Sequence, residues 1–353
     1  MSILHSYISR DESTAVKGVL IFLIVLGHNI LFTKYVEPVQ GMGYLYCFHI
    51  QAFFLLPFLY GSEPLTKKRA LCYFIRLYWP FLLLSGLLSI GFYNLYLHNN
   101  FNLWALFHTW LTGDVNLIRR YCGIQLLWFL PAMFAMSLFK DLYYHSHPAI
   151  RLILLFLSIV ANFIIFLAIV DPEYYSLQSK IGSIIPLGMF PGISYLIFGV
   201  ATRKIIAQIK INRGGGRKGF IFLFSFLICS ITYFANTLYW NKGLVLIALK
   251  VMMPIIFIIL LWYYSKNLSY YRMWKELGER TFLIYLIHPF IGYILYGLVI
   301  WRHYPDSLVL AAIAQLIMLI ASYYFSTLIS CTRRLKNIIQ PRSAEGMCSV
   351  FRK

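Results

Sequence analysis

Long apolar stretches, separated by short polar links, run along almost the whole chain. A helix needs about 20 mostly apolar residues to cross the hydrocarbon core of a bilayer. The pattern predicts ten spans, at residues 16–33, 43–61, 73–95, 124–140, 149–170, 181–201, 218–239, 243–264, 280–300 and 307–331. The stretches are apolar throughout rather than at alternate positions, which favours helices over the strands of a membrane barrel.

The composition narrows the class of protein. Of 353 residues, 60% are hydrophobic and only 12% are charged, whereas a soluble domain has about 25% charged residues. Because backbone groups in lipid must be hydrogen-bonded internally, the predicted fold class is all-α, a polytopic membrane helical bundle with about ten transmembrane helices. We expect one membrane-embedded domain over residues 1–353 and no appended soluble domain, since the polar links are too short to fold alone.

The positive charge has an explanation in membrane topology. Lysine and arginine total 31 against 12 aspartates and glutamates, for a net charge of +19. In a soluble protein this excess would indicate nucleic-acid binding, but cytoplasmic loops of membrane proteins also collect lysine and arginine. Most of these residues fall on the side of the termini, which predicts cytoplasmic termini and no nucleic-acid partner. The six cysteines form no Cys/His cluster, so no metal site is predicted.

A few ionisable side chains fall inside predicted spans, where such groups are costly and mark candidate functional positions. They are Lys17, His28, His49, Arg76, Lys250 and His288. Lys250 is interpreted as a lysine that reaches towards the interface. For His288, followed by Pro289, a structural role is favoured over a chemical one.

Lys17 and His28 are the most informative pair. Their spacing of eleven residues corresponds to about 1100° of helical rotation, close to a whole number of turns, and to a rise of about 16 Å. The spacing predicts a cation at the cytoplasmic mouth and an imidazole beyond the membrane midplane, on one helix face. The alternative is that Lys17 anchors the helix end and His28 bonds a neighbouring helix.

His49 is expected at a similar depth in the second span. Two imidazoles close together would indicate a proton-handling site, but the direction of the His49 ring is left open, and a histidine in contact with headgroup water is the alternative. Arg76 is expected near the cytoplasmic face, where it either joins Lys17 in holding an anion or anchors its own span.

Four stretches carry motifs whose order and spacing are informative together. They are Lys17-Gly-Val-Leu-Ile-Phe-Leu-Ile-Val-Leu-Gly-His28, Phe48-His49-Ile-Gln-Ala-Phe-Phe54, Trp128-Phe-Leu-Pro131 and Leu277-Gly-Glu-Arg-Thr-Phe-Leu-Ile-Tyr-Leu-Ile-His288. In this order they resemble the acyltransferase family 3 membrane proteins. The resemblance implies ten spans and transfer of an acyl group from acyl-CoA to a sugar hydroxyl of a surface glycan.

The resemblance also implies site residues. The family's basic residue, ten-position gap and histidine fall on Lys17 and His28, and its second-span histidine falls on His49. Of its paired arginines, Arg76 matches the second, whereas Tyr73 stands at the first. His28 is expected to act as general base or nucleophile, with His49 orienting it or sharing its proton. Lys17 and Arg76 are expected to hold the phosphates of the donor.

The functional hypothesis is therefore an integral membrane O-acyltransferase in the bacterial inner (plasma) membrane. Acyl-CoA, with acetyl-CoA as the expected form, is the donor. The acceptor is a cell-envelope polysaccharide or its lipid-linked precursor. The expected partners are this glycan and membrane lipid, and a homo-oligomer is left open. The alternative is a transporter or flippase of a lipid-linked sugar, although the spans have no central carboxylate for ion coupling.

Overall fold

The computed structural model describes residues 5–37, 41–95, 102–113, 115–170, 190–211, 217–240, 243–297 and 307–341. Every secondary-structure element in these ranges is helical, which confirms the predicted all-α class. The α-helices in chain order are α1 (Arg10–Gly27), α2 (Ile30–Val36), α3 (Gly41–Tyr46), α4 (His49–Leu55), α5 (Lys67–Tyr73), α6 (Trp79–Leu95), α7 (Leu103–Thr112), α8 (Val115–Cys122), α9 (Phe129–His145), α10 (Pro148–Val170), α11 (Phe190–Ile211), α12 (Arg217–Ala235), α13 (Gly243–Tyr270), α14 (Arg272–Glu279), α15 (Thr281–Gly297), α16 (Leu308–Cys331) and α17 (Arg333–Ile339).

Within the described ranges, the structure supports several of the predicted membrane-crossing helices but not the full number. Within the described ranges, five helical segments are long and apolar enough to cross a membrane: Lys67–Gly91, Leu126–His145, Lys218–Tyr239, Gly243–Tyr270 and Leu308–Cys331. α1 and α2 together form a sixth candidate, bent by 72° at a short break. Three further apolar segments are shorter: Gly43–Leu59, Pro148–Ile164 and Thr281–Leu295. The predicted count of about ten is therefore not confirmed, and residues 181–189 of the sixth predicted span lie outside the described ranges.

The chain divides into two compact units. Unit 1 consists of Met1–His5, Gly61–Ile197 and Ser330–Lys353, and unit 2 consists of Ser6–Tyr60 and Phe198–Ile329. Unit 1 contains α5 to α10, the start of α11, and α17. Unit 2 contains α1 to α4, the rest of α11, α12 to α15 and nearly all of α16. The expectation of one domain over the whole chain stays a prediction.

In unit 1, a buried carboxylate collects polar side chains near the end of α9. Asp141 is fully buried and accepts hydrogen bonds from the hydroxyls of Tyr73 at 2.6 Å and Ser62 at 2.7 Å. Arg69 pairs with the same carboxylate through its Nε atom, and the Nζ atom of Lys140 lies 3.6 Å away. These partners offset the cost of burying a charge, which allows α9 to continue past residue 140, where its span was predicted to end.

In unit 2, the first half of α1 lies in backbone contact with α14. Gly18 faces the carbonyl of Trp274, and Gly278 faces the carbonyl of Thr14. A Cβ atom on either glycine would overlap the facing carbonyl. Small residues allow membrane helices to approach this closely. The contact holds the part of α1 that carries Lys17.

One side-chain cap begins α1, and a second begins α2 directly after it. At its start, the Ser9 hydroxyl accepts the backbone N–H of Glu12 at 3.3 Å, and the Glu12 carboxylate accepts the backbone N–H of Ser9 at 2.8 Å, which is a capping box. After its last residue, the side-chain oxygen of Asn29 accepts the N–H of Phe32 at 3.3 Å. Because Asn29 thereby starts a new helix, α1 ends and the chain turns by 72° at His28 and Asn29.

Candidate active site

Three histidines lie close together in unit 2. His28 follows the last residue of α1, His49 is the first residue of α4, and His288 lies in α15. The ring centroids of His28 and His288 are 5.2 Å apart. Tyr46 lies between His28 and His49, with its ring centroid 6.3 Å from that of His28 and 5.2 Å from that of His49. The structure thus adds His288 to the two histidines that the sequence proposes as catalytic.

Hydrogen bonds connect the region around the break between α1 and α2, where His28 lies, to α16. The side-chain amide of Asn29, which is only 1% exposed, donates to the carbonyl of Ala311 at 2.7 Å. One turn further along α16, Gln315 donates to the carbonyl of Phe22 at 3.3 Å. Sequence reasoning missed both Asn29 and Gln315, although a polar residue beside a candidate histidine within an apolar stretch is a signal for them.

The three rings share one hydrogen-bonding arrangement. In each, Nδ1 bonds the backbone carbonyl four residues earlier. The distances are 2.7 Å from His28 to Ile24, 2.5 Å from His49 to Leu45 and 3.0 Å from His288 to Ile284. Because a carbonyl oxygen only accepts hydrogen bonds, Nδ1 must carry the proton in every case. Each neutral ring therefore presents the lone pair of Nε2 for further chemistry.

Burial distinguishes the three rings. His49 and His288 are fully buried, and the Nε2 atom of each has no hydrogen-bond partner among the described residues. His28 is only half-buried, so its Nε2 atom is the one most open to a substrate. A buried acceptor without a donor costs free energy, and such groups are typical of sites that have a function.

Tyr46 forms the accessible side of the cluster. Its hydroxyl oxygen lies 3.3 Å from the carbonyl oxygen of Gly27 and 3.5 Å from Nε2 of His28. The carbonyl is one of the groups at a helix end that have no partner within the helix. Tyr46 is 36% exposed, so the cluster opens on its side. The sequence did not single out Tyr46, although a phenol three residues before a candidate histidine is a usable signal.

Lys17 lies in α1, and within the described ranges it forms no ion pair. α1 is continuous from Arg10 to Gly27, and the backbone N–H of His28 still bonds the carbonyl of Ile24 at 3.2 Å. The helical spacing between Lys17 and His28 on which the prediction depends is therefore present, with a rise of about 16 Å. The role of Lys17 stays a prediction.

Arg76 belongs to unit 1, whereas the three histidines belong to unit 2. Its exposed side chain lies in the π-helical segment Phe74–Tyr78 that continues α5. Tyr73, which stands at the family's first arginine position, donates its hydroxyl to the buried Asp141 instead. The role of Arg76 in binding the donor also stays a prediction.

The histidine cluster has no features of a metal centre. Among the residues that the structure describes, no group of three or more His, Cys, Asp or Glu side chains is placed to hold a metal ion. The arrangement instead offers imidazole lone pairs for accepting and passing protons.

Comparisons with known proteins identify the family. No curated protein and no solved structure matches the chain. The family model described as an acyltransferase domain, that of acyltransferase family 3, matches residues 11–331, nearly the whole chain. The matched range contains the three histidines, Lys17 and Arg76. Together with the long apolar helices, the match supports an integral membrane acyltransferase. The chain belongs to acyltransferase family 3, as the order of the four sequence motifs indicated.

Proposed function

We propose that the protein transfers an acetyl group from acetyl-CoA to a hydroxyl of a cell-envelope polysaccharide or of its lipid-linked precursor. The observation that carries this proposal is the half-buried His28 ring at the end of α1, with Nδ1 bonded to a carbonyl and Nε2 at the accessible side of the cluster. Acyl transfer to an alcohol requires a base, and a neutral imidazole with a free Nε2 lone pair can accept the proton.

In this mechanism His28 acts as the general base. Its Nε2 accepts the proton of the acceptor hydroxyl while the hydroxyl oxygen attacks the thioester carbonyl carbon. The carbon–sulfur bond then breaks, and the departing CoA sulfur takes the proton from His28. The products are an ester and free CoA, and His28 returns to its neutral form. The hydrogen bond from Nδ1 to Ile24 keeps the ring in the tautomer that this cycle needs.

His49 is the second proposed catalytic residue. Its ring is fully buried, and its Nδ1 bonds the carbonyl of Leu45 at 2.5 Å. Its Nε2 points at α1 beside Gly27, the residue before His28. This placement supports a role in orienting the acceptor hydroxyl or sharing its proton next to His28.

Lys17 is proposed to bind the phosphate groups of the donor CoA, and the role expected for Arg76 in donor binding stays a prediction. Within the described ranges no carboxylate neutralises Lys17, so its ammonium group is available to an anion. A separation of about 16 Å along α1 between Lys17 and His28 leaves length for the donor's extended arm. The thioester would then lie at the histidines while the phosphates stay at the far end of α1.

The positive residues on the side of the termini support placing both termini in the cytoplasm, where acyl-CoA is available. We propose the bacterial inner membrane as the location, with a glycan and membrane lipid as partners. Membership of an acyltransferase family favours acyl transfer over the alternative of a sugar transporter or flippase.

The test is His28→Ala in a deletion strain, with glycan O-acetyl content measured by NMR at matched protein levels. Loss of a general base lowers the rate by about 10²–10⁴-fold, so acetylation should fall below detection. His147→Ala is the control, because His147 is exposed and follows α9 in unit 1; it should acetylate normally. Normal acetylation by His28→Ala would contradict the catalytic role. Glycan transport without acyl-CoA consumption would support the transport alternative.

A further inference from the structure

His288 is the member of the cluster that the proposed mechanism does not use. Its side chain is fully buried, and its Nδ1 donates to the carbonyl of Ile284 at 3.0 Å. Its Nε2 has no hydrogen-bond partner among the described residues. A residue that only filled space here would be apolar, because an unpaired acceptor in the interior costs free energy that a leucine or phenylalanine avoids.

Among the residues that the structure describes, two aromatic rings contact His288. One is Tyr285, from the same helix, at a centroid distance of 6.1 Å, and the other is His28, from α1, at 5.2 Å. Neutral His28 has a single N–H, which already bonds Ile24. When His28 takes up a proton it gains a second N–H and a positive charge. Since the two ring centroids are 5.2 Å apart, this positive charge then lies next to a neutral, fully buried imidazole.

In the described ranges, no carboxylate pairs with His28 to stabilise its protonated form. The rings in contact with His28 are Tyr46 and His288, and no ion pair of the described residues involves His28. In many hydrolases a carboxylate orients the catalytic histidine and stabilises its cationic form. A neutral imidazole with an unused lone pair can do the same more weakly.

We propose that His288 is a positioning residue for the acyl transfer, whose buried Nε2 lone pair stabilises the protonated form of His28. The inference rests on the proposed function, since it requires His28 to be the base. In the reaction, the proton moves from the acceptor hydroxyl to Nε2 of His28 and then to the CoA sulfur. His288 neither gains nor loses a proton over the cycle.

The test compares two replacements of His288 in the full-length protein, in membrane vesicles of the deletion strain, which supply the glycan acceptor, with acetyl-CoA added as the donor. His288→Phe keeps an aromatic ring of similar size but has no hydrogen-bond acceptor. His288→Gln keeps a hydrogen-bond acceptor near the position of Nε2. We expect His288→Phe to lower kcat by about tenfold or more with KM for acetyl-CoA within about twofold, because the lost interaction exists only when His28 is protonated. His288→Gln should stay within about threefold of the wild-type kcat.

A wild-type kcat for His288→Phe would overturn the inference. Equal losses of kcat in both variants at normal protein level would also overturn it. They would show that the hydrogen-bond acceptor at position 288 does not support the reaction. If His288→Phe does not accumulate, His288→Leu replaces it with the same expectation. His28→Ala, measured alongside, distinguishes failure of the proposed function from failure of the inference about His288. An active His28→Ala contradicts the proposed function itself. An inactive His28→Ala with a fully active His288→Phe contradicts only the role of His288.

Discussion

The Nε2 atom of His49 lies 3.3 Å from the position that a Cβ atom on Gly27 would occupy. The buried ring of His49 therefore packs against the backbone of α1 at the residue that precedes His28. A larger residue at position 27 would displace the ring. The absence of a side chain at Gly27 thus sets how closely the two proposed catalytic histidines approach each other.

Replacement of Gly27 should lower activity more than stability. In Gly27→Ala the new methyl group forces the His49 ring to move by a few tenths of an ångström, and catalytic geometry is sensitive to such shifts. We expect acyl transfer to fall by about tenfold with a normal protein level. Gly91→Ala is the matched control, because nothing lies within 4 Å of its Cβ position; it should keep full activity. Full activity of Gly27→Ala would show that the ring position is not critical.

Replacement of Gly278 should affect folding instead. A Cβ atom there would overlap the carbonyl of Thr14, so Gly278→Ala must separate α14 from α1. Overpacking of this kind costs about 1–3 kcal/mol, and more where backbone atoms are involved. The thermal midpoint of the purified protein in detergent should fall accordingly. Gly243→Ala, with open space around its Cβ position, should leave the midpoint unchanged or slightly higher, and equal midpoints for both variants would refute the proposed close contact.

Loss of the buried carboxylate in unit 1 should be costly. Asp141→Asn leaves the cations of Arg69 and Lys140 without their buried anion, which we expect to cost about 3 kcal/mol of unfolding free energy. Glu63→Gln is the matched control, since Glu63 pairs with the same Arg69 at 2.5 Å but is 60% exposed. Exposed pairs contribute about 0–1 kcal/mol, so its midpoint should barely change. A tolerated Asp141→Asn would contradict the importance of the buried network.

The cap at the helix break should affect both stability and activity. Asn29→Ala removes the cap of α2 and the hydrogen bond to Ala311. We expect this to lower the free energy of unfolding by about 1–2 kcal/mol. We also expect a several-fold lower rate of acyl transfer, because His28 is adjacent. Asn102→Ala removes the comparable cap of α7, where the Asn102 oxygen accepts the N–H of Ala105 at 3.0 Å. It should cost about 1 kcal/mol without changing the rate per folded molecule. Similar rate losses in both would mean that activity merely follows stability.

Cys122 should be unreactive towards thiol reagents. It lies at the end of α8, is 1% exposed, and burial raises the pKa of its thiol to about 12. Because the thiolate is the reactive form, labelling by a maleimide at pH 8 should be slow and should accelerate only as the pH rises towards that pKa. Cys331 is exposed and should be labelled first. Mass spectrometry of labelled peptides distinguishes the two, and rapid labelling of Cys122 in the folded protein would contradict its burial.

The sequence predicted the helical class and the residues of the family motifs, but not how they meet. His28 and His49 were proposed together because their spans are consecutive and their depths similar. The direction of the His49 ring could not be predicted, since one residue of rotation turns a side chain by about 100° about the helix axis. Arg76 illustrates the same limit, because its position in the sequence did not show that it would lie in a different unit from the histidines.

The amino-acid sequence by itself determined the all-α membrane class and the family, because the length of apolar stretches and the order of motifs are properties of neighbouring residues. Only the tertiary structure decided that α1 breaks after Gly27, that His288 lies beside His28, and that Gly18 and Gly278 bring two helices into backbone contact. These relationships join residues distant along the chain. They depend on which helix faces pack together, and a stretch that is apolar on all sides does not specify its packing face.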